Sequence, residues 1–145
     1  MSCCGLGTQM SMALRSVGAC LAARRDKQGV SLAVHSVLVA SRLGDIELQV
    51  AGLLHDAVEE GCITVAQLNN AGFSRRVVDV VLAVSRRCGE KYDDYVDRVI
   101  CAGPDAVAVK LADLAENLRE DRPILSESLR NRYLKAQEKL RRSIT

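Results

Sequence analysis

Residues 51–60, Ala51-Gly52-Leu53-Leu54-His55-Asp56-Ala57-Val58-Glu59-Glu60, decide how this chain is read. An apolar run closes on a neighbouring His and Asp and passes at once into two glutamates. Leu48, Ala51, Leu54, His55 and Val58 fall on one stripe at helical spacing, so the segment reads as a helix whose last turn carries imidazole and carboxylate to the edge of the buried region. Acids at a helix C-terminus oppose the macrodipole. A chain that accepts them either keeps them solvated or uses them.

The His-Asp pair alone also fits a satisfied core histidine, so partners decide its meaning. The chain has two histidines. The other, His35, lies in the similar apolar run Ser31-Leu32-Ala33-Val34-His35-Ser36-Val37-Leu38-Val39. Asp113 sits between Ala112 and Leu114 in the most apolar helical stretch, where burying an unpaired carboxylate is costly and a cation is needed. Asn117, four residues on, shares its face. His35, His55, Asp56 and Asp113 thus stand on three predicted helices as a mixed N/O donor set suited to Mn²⁺, Fe²⁺ or Zn²⁺, with positions left for water and a phosphate oxygen. Such a metal lowers the pKa of bound water and polarises a phosphoryl group.

Working outward, the periodicity predicts helices throughout. The first runs from Met10 behind a Thr8 cap, with Ala13, Leu14, Val17 and Leu21 inward, and runs out at Arg24-Arg25-Asp26-Lys27. That basic run fits a solvated helix end or a phosphate clamp. Residues 1–7 are expected to be flexible, with one domain over 8–145. Ser31 caps a second helix ending at Gly44, Asp45 the third, Thr64 a short fourth and Ser74 a fifth ending at Gly89. The fifth is rich in valine, but its polar residues break strand alternation. A sixth runs from Tyr92 to Gly103, and Pro104 opens a seventh reaching Arg119. Beyond Pro123 a last helix starts near Ser126, with Leu129, Tyr133, Ala136 and Leu140 packing and a basic flank that reads as a solvated face.

Hydrophobic residues make up 48% of the 145 positions but aromatics only 3%, with no Trp, so the core must be Leu, Val, Ile and Ala. A net charge of +2 over 26% charged residues is neither the field of a nucleic-acid binder nor a disordered composition. No apolar run approaches the roughly 20 residues of a membrane helix, and no signal-like start is present, so a soluble cytoplasmic protein is expected. The six cysteines form no CxxC pair and are expected as reduced thiols. Oligomeric state is not legible.

The order His, His-Asp, Asp resembles that of the HD-domain metal-dependent phosphohydrolases. Residues 31–119 look most like the hydrolase domain of RelA/SpoT-type proteins and the small alarmone hydrolases. Residues 51–60 resemble that group's "A-LLHD-VED" segment, and Val109-Lys110-Leu111-Ala112-Asp113-Leu114-Ala115-Glu116-Asn117-Leu118 its "VKLAD---NL" segment. Ser85-Arg86-Arg87 to Tyr92-Asp93-Asp94-Tyr95 resembles a stretch of its short members. The resemblance implies an all-α, single-domain HD-domain helical bundle. It implies Mn²⁺ on His35, His55, Asp56 and Asp113, and hydrolysis of the 3′-pyrophosphate of guanosine 3′,5′-bis-pyrophosphate (ppGpp) as in the stringent response. Glu59 and Glu60 would position or deprotonate water, Asn117 would contact the nucleotide, and Arg24 with Lys27 would meet phosphate or base. Two readings stand beside it: a nucleotidase or nucleotide phosphatase acting on a nucleoside monophosphate or NADPH, and a regulatory nucleotide-binding module. The chain departs from the group where Glu60 replaces its usual Asp, and where the segment before His35 is one residue shorter and lacks "PY". No synthetase-like segment follows.

Overall fold

The computed structural model describes residues 5–26, 28–122 and 125–145. Lys27, Pro123 and most of the N-terminal stretch expected to be flexible lie outside the described residues. The elements are α1 (Leu6–Cys20), α2 (Leu32–Ser41), α3 (Ile46–Glu59), α4 (Val65–Ala71), α5 (Arg75–Val84), α6 (Tyr92–Ala102), α7 (Pro104–Asn117) and α8 (Glu127–Ser143). Among the described residues there is no β-strand; Arg25 and Ser31 form an isolated bridge that closes the α1–α2 turn.

Most helix starts follow from local chemistry. The Ser31, Asp45, Ser74 and Ser126 side chains each accept a backbone N–H of the first turn, and Thr64 with Gln67 forms a capping box. The ends are less local. The first helix begins at Leu6 behind Gly5 with no side-chain cap, so Thr8 lies inside it, and it stops at Cys20 before the basic run. α5 stops at Val84 rather than at Gly89 because its last carbonyls find other donors. Ser85 Oγ donates back to Val81 O, and the Arg98 guanidinium donates to Leu82 O, Ala83 O and Ser85 O.

Two helices are buried on nearly every side. α3 buries Leu48, Val50, Ala51, Gly52, Leu53, Leu54, His55 and Ala57, and packs against α1, α2, α5 and α7. α7 buries apolar residues together with Lys110, Asp113 and Glu116. The core is Val, Leu and Ala, as the composition requires. Phe73 and Tyr95 are buried too, while Ile63 and Ile100 are only partly so. Gly52 permits the close α2–α3 approach that sets His55 against His35: a Cβ there would lie 3.2 Å from Leu43 Cδ1 and 3.5 Å from Ala40 Cα.

The expectation of reduced thiols fails for one pair. Cys20 at the end of α1 and Cys62 just beyond α3 form a disulfide with Cα atoms 6.0 Å apart. Their separation of 42 residues carries no trace of this pairing in the sequence. Cys88 and Cys101 are free and exposed.

Candidate metal centre

α2, α3 and α7 bring the four predicted ligands together. His35 Nε2 lies 2.7 Å from Asp113 Oδ1 and 3.9 Å from Asp56 Oδ2. His55 Nε2 lies 3.3 Å from Asp56 Oδ1 and 3.6 Å from Asp113 Oδ1. The two imidazole rings stand 6.0 Å apart, tilted by 59°. Donor atoms of His35, His55 and Asp56 all come within 4.8 Å of one another.

The orientation of the His55 ring is set by its own helix. Nδ1–H donates to Gly52 O at 2.6 Å, so Nε2 is the nitrogen turned toward the cluster. That Nε2 and Asp56 Oδ2 are buried and make no hydrogen bond among the described residues. Buried polar atoms without partners are rare, and two of them facing one centre from a His and an Asp are what a divalent cation would satisfy. The residues therefore fit the metal that the sequence pattern implies.

Asp113 is shared. Its Oδ2 accepts from Lys110 Nζ at 2.7 Å, one turn earlier on α7, while its Oδ1 faces the histidines. The cation that a buried Asp113 demands is thus supplied in part by Lys110, and one oxygen remains for the cluster. Burial works against charge on all these groups, and their neighbours more than reverse it. His55 is pushed down by burial and raised by Asp56, Asp113 and Glu59, to about 10. Asp113 is held well below the usual carboxylate range, chiefly by Lys110 and then His35, and Lys110 is correspondingly raised.

His35, Asp56 and Asp113 of the cluster line a cavity of about 340 Å³, within the size range of small-molecule sites. Glu59, one turn beyond Asp56, reaches it with part of its surface open to solvent; burial of its carboxyl raises its pKa. Its Oε1 accepts from Arg86 N at 2.6 Å. Glu60 is on the rim, its Oε2 3.1 Å from Arg24 Nη1. Arg24 also donates to Glu60 O and is not among the lining residues, whereas Arg25 lines the cavity. Asn117 lines it as well, with Nδ2 3.4 Å from Asp113 Oδ1.

Other lining residues carried no functional reading in the sequence. Tyr92, Tyr95 and Tyr133 form one wall, and Arg86 and Arg132 lie over the Tyr92 ring with guanidinium carbons 5.5 and 5.1 Å from its centroid. Arg25, Arg86 and Arg132 have no carboxylate partner among the described residues, so three positive groups edge the mouth. Arg132 belongs to the basic flank read as solvated. The available signal was its position: three residues after Leu129 and beside Tyr133, it lies on the packing face of α8.

Buried helices meeting at a His/Asp cluster under a cationic, tyrosine-walled cavity define a helical bundle built around a candidate divalent-metal centre. Among solved structures the chain is similar to one described as a metazoan ortholog of SpoT that hydrolyzes ppGpp and plays a role in starvation responses. The match has a TM-score of 0.76 and 19% identity, and covers 93% of this chain and 84% of that one. The chain thus shares the all-helical fold of that protein. No protein-family model matches the chain, and no curated protein matches its sequence significantly. No helix among the described residues is long and apolar enough to cross a membrane.

Proposed function

We propose that this protein is a metal-dependent phosphohydrolase of a nucleotide, acting on the 3′-pyrophosphate of guanosine 3′,5′-bis-pyrophosphate to give GDP and pyrophosphate. The observation that carries the reading is the pair of unsatisfied buried atoms, His55 Nε2 and Asp56 Oδ2, in a His/Asp cluster whose His35, Asp56 and Asp113 line a cavity edged by arginines without a carboxylate partner among the described residues. A site that hydrolyses a phosphate ester needs a metal, a base and cations for the charge that develops at phosphorus. Each has a candidate here. The fold shared with a ppGpp hydrolase adds the choice of substrate class.

His35, His55, Asp56 and Asp113 would hold the metal, with Mn²⁺ the first choice. When bound, such an ion supplies Lewis acidity toward the phosphoryl group and eases deprotonation of water. The chain's own groups do the remaining work. Lys110 holds one oxygen of Asp113 and so fixes the direction of the other. Glu59 is the base: its carboxyl sits in the cavity one turn from Asp56, and the Arg86 N–H bond orients it to receive a proton from the attacking water. Arg25, Arg86 and Arg132 would neutralise the phosphates, and the tyrosine wall would take the flat base. Glu60 acts at one remove, because its carboxylate is engaged by Arg24 on the rim.

The test is a Mn²⁺-dependent screen over guanosine tetraphosphate, nucleoside mono- and triphosphates and NADPH. Release of pyrophosphate from the first is expected. Orthophosphate from another would make the protein a nucleotidase, and binding without product a regulatory module. Glu59→Gln is expected to retain metal and lose turnover by a factor of about 10² or more; near-normal turnover would remove Glu59 from the mechanism.

A further inference from the structure

We propose that Arg122, which does not line the cavity, is a positioning residue for it: it turns the Asn117 amide so that the NH₂ group faces the site, and it ties the α1–α2 turn down over the same opening. The inference rests on the functional reading above for its substrate, but its structural core does not.

Arg122 follows α7 in the loop leading to α8, and its side chain is only 8% exposed. Nη1 donates to Asn117 Oδ1 at 2.8 Å and approaches Glu116 O at 3.4 Å. Nη2 donates to Asp26 Oδ2, across 96 residues of sequence. A guanidinium only donates, so the atom of Asn117 that faces it must be the carbonyl oxygen. The NH₂ is thereby turned the other way, with one hydrogen toward Asp113 Oδ1 at 3.4 Å and the second free for a bound phosphate or ribose oxygen. Without Arg122 only the long contact to Asp113 Oδ1 would hold the amide in this sense, and the flipped amide would aim an acceptor at anionic substrate.

The second hand of the clamp acts on the neighbouring α1–α2 turn. Asp26 uses Oδ2 for Arg122, while its Oδ1 accepts from Gln28 N at 2.8 Å and Val30 N at 3.0 Å. This closes the turn that carries Arg25 and Gln28, both of which line the cavity. One guanidinium therefore joins the end of α7 to the α1–α2 turn, both of which contribute to the cavity lining. Its Nε–H, buried and without a partner among the described residues, fits a side chain placed by those two contacts rather than by full satisfaction of its own donors.

The test uses the full chain with Mn²⁺ and guanosine 3′,5′-bis-pyrophosphate, and compares Arg122→Gln, Arg122→Lys, Asn117→Ala and the double variant Arg122→Gln/Asn117→Ala. Arg122→Gln is expected to raise KM about tenfold with kcat within about threefold, since it disturbs binding geometry rather than the reacting groups. Arg122→Lys, which keeps one donor, should recover part of the loss. In the Asn117→Ala background Arg122→Gln should add clearly less than about tenfold, because the Asn117 contact is already gone and only the part that acts through Asp26 remains. Equal fold-changes in the two backgrounds would mean that Arg122 is merely structural and would overturn the proposal. A second reading needs no substrate. The Asn117 side-chain amide, assigned by ¹⁵N–¹H spectra against Asn117→Ala, should be rigid by ¹⁵N relaxation in the unchanged protein and mobile in Arg122→Gln. Unchanged mobility would equally overturn it. If the unchanged protein does not turn over the guanosine substrate, the functional reading fails while the amide spectra still decide the role of Arg122.

Discussion

The two ends of the α3, α5 and α7 set are built on opposite electrostatic plans. At one end Arg76, in the first turn of α5, grips Asp105 through Nε and Nη2 at 2.8 and 3.0 Å, and Asp45 through Nη1 at 2.9 Å. Asp45 is the N-cap of α3 and Asp105 lies in the first turn of α7, so every carboxylate also sits where a helix dipole favours it. Glu47 joins the group and accepts from the N-cap hydroxyl of Ser74. Ten residues along α3, about 15 Å away, the plan reverses. There His55, Asp56 and Glu59 gather acids near the C-terminal end of α3, against its dipole, and leave buried atoms without partners. One end spends its charges on holding three helices in register. The other leaves His55 Nε2 and Asp56 Oδ2 buried and without a hydrogen-bond partner among the described residues.

The sharpest way to break that comparison is at His55. In the unchanged protein, Mn²⁺ at one hundred times its Kd is expected to raise stability by about 2.7 kcal/mol, seen as a rise in Tm on titration. His55→Ala should lose metal uptake, hydrolysis and this rise together. If the variant binds Mn²⁺ with unchanged affinity, the unsatisfied end is not a metal centre.

A smaller effect is expected at the saturated end. Arg76, Asp45 and Asp105 are 37%, 44% and 42% exposed, so solvent screens their pairs. Exposed pairs are worth up to about 1 kcal/mol each, so Arg76→Ala should cost about 1–2 kcal/mol in urea unfolding. Mn²⁺ affinity should stay as it was. A severalfold loss of affinity in this variant would show that the two ends are coupled along the helices, and the division between them would fall.

How much of this was visible in the sequence depends on the distance over which each feature acts. Ser31, Asp45, Thr64, Ser74 and Ser126 announce their helices because a cap works within three residues. His35, His55, Asp56 and Asp113 were legible because each polar group interrupts an apolar helical run, and because the chain has so few histidines. Partnerships between distant segments were not. Nothing in local pattern links Arg24 to Glu60, Asp26 to Arg122 or Cys20 to Cys62, yet these links decide that Arg25 rather than Arg24 lines the cavity. Lys110 was in plain view in the quoted motif, but only the fold shows that it takes one oxygen of Asp113 and leaves the other. Arg132 was missed because a basic flank on a terminal helix has a solvated reading in most chains.

The smallest expected effect contrasts two glutamates on either side of Arg86. Burial raises Glu59 at the site, while Glu90, in the loop just beyond, is held down to about 2 by the Arg98 guanidinium. Arg98 meets both oxygens of Glu90 at 2.9 Å and also the last carbonyls of α5, so the pair anchors the loop that presents Arg86. A folded pKa below the ordinary glutamate value of 4.5 means that the unfolded chain takes up the proton first as pH falls. The contribution of Glu90 is therefore fully present above pH 4.5 and disappears as the pH falls toward 2. Glu90→Gln should be less stable than the unchanged protein at neutral pH, and the gap should close across that window in acid-unfolding curves. A gap of constant size down to pH 2 would mean that Glu90 acts through packing rather than charge, and the loop would then belong with the core rather than with the saturated ion pairs.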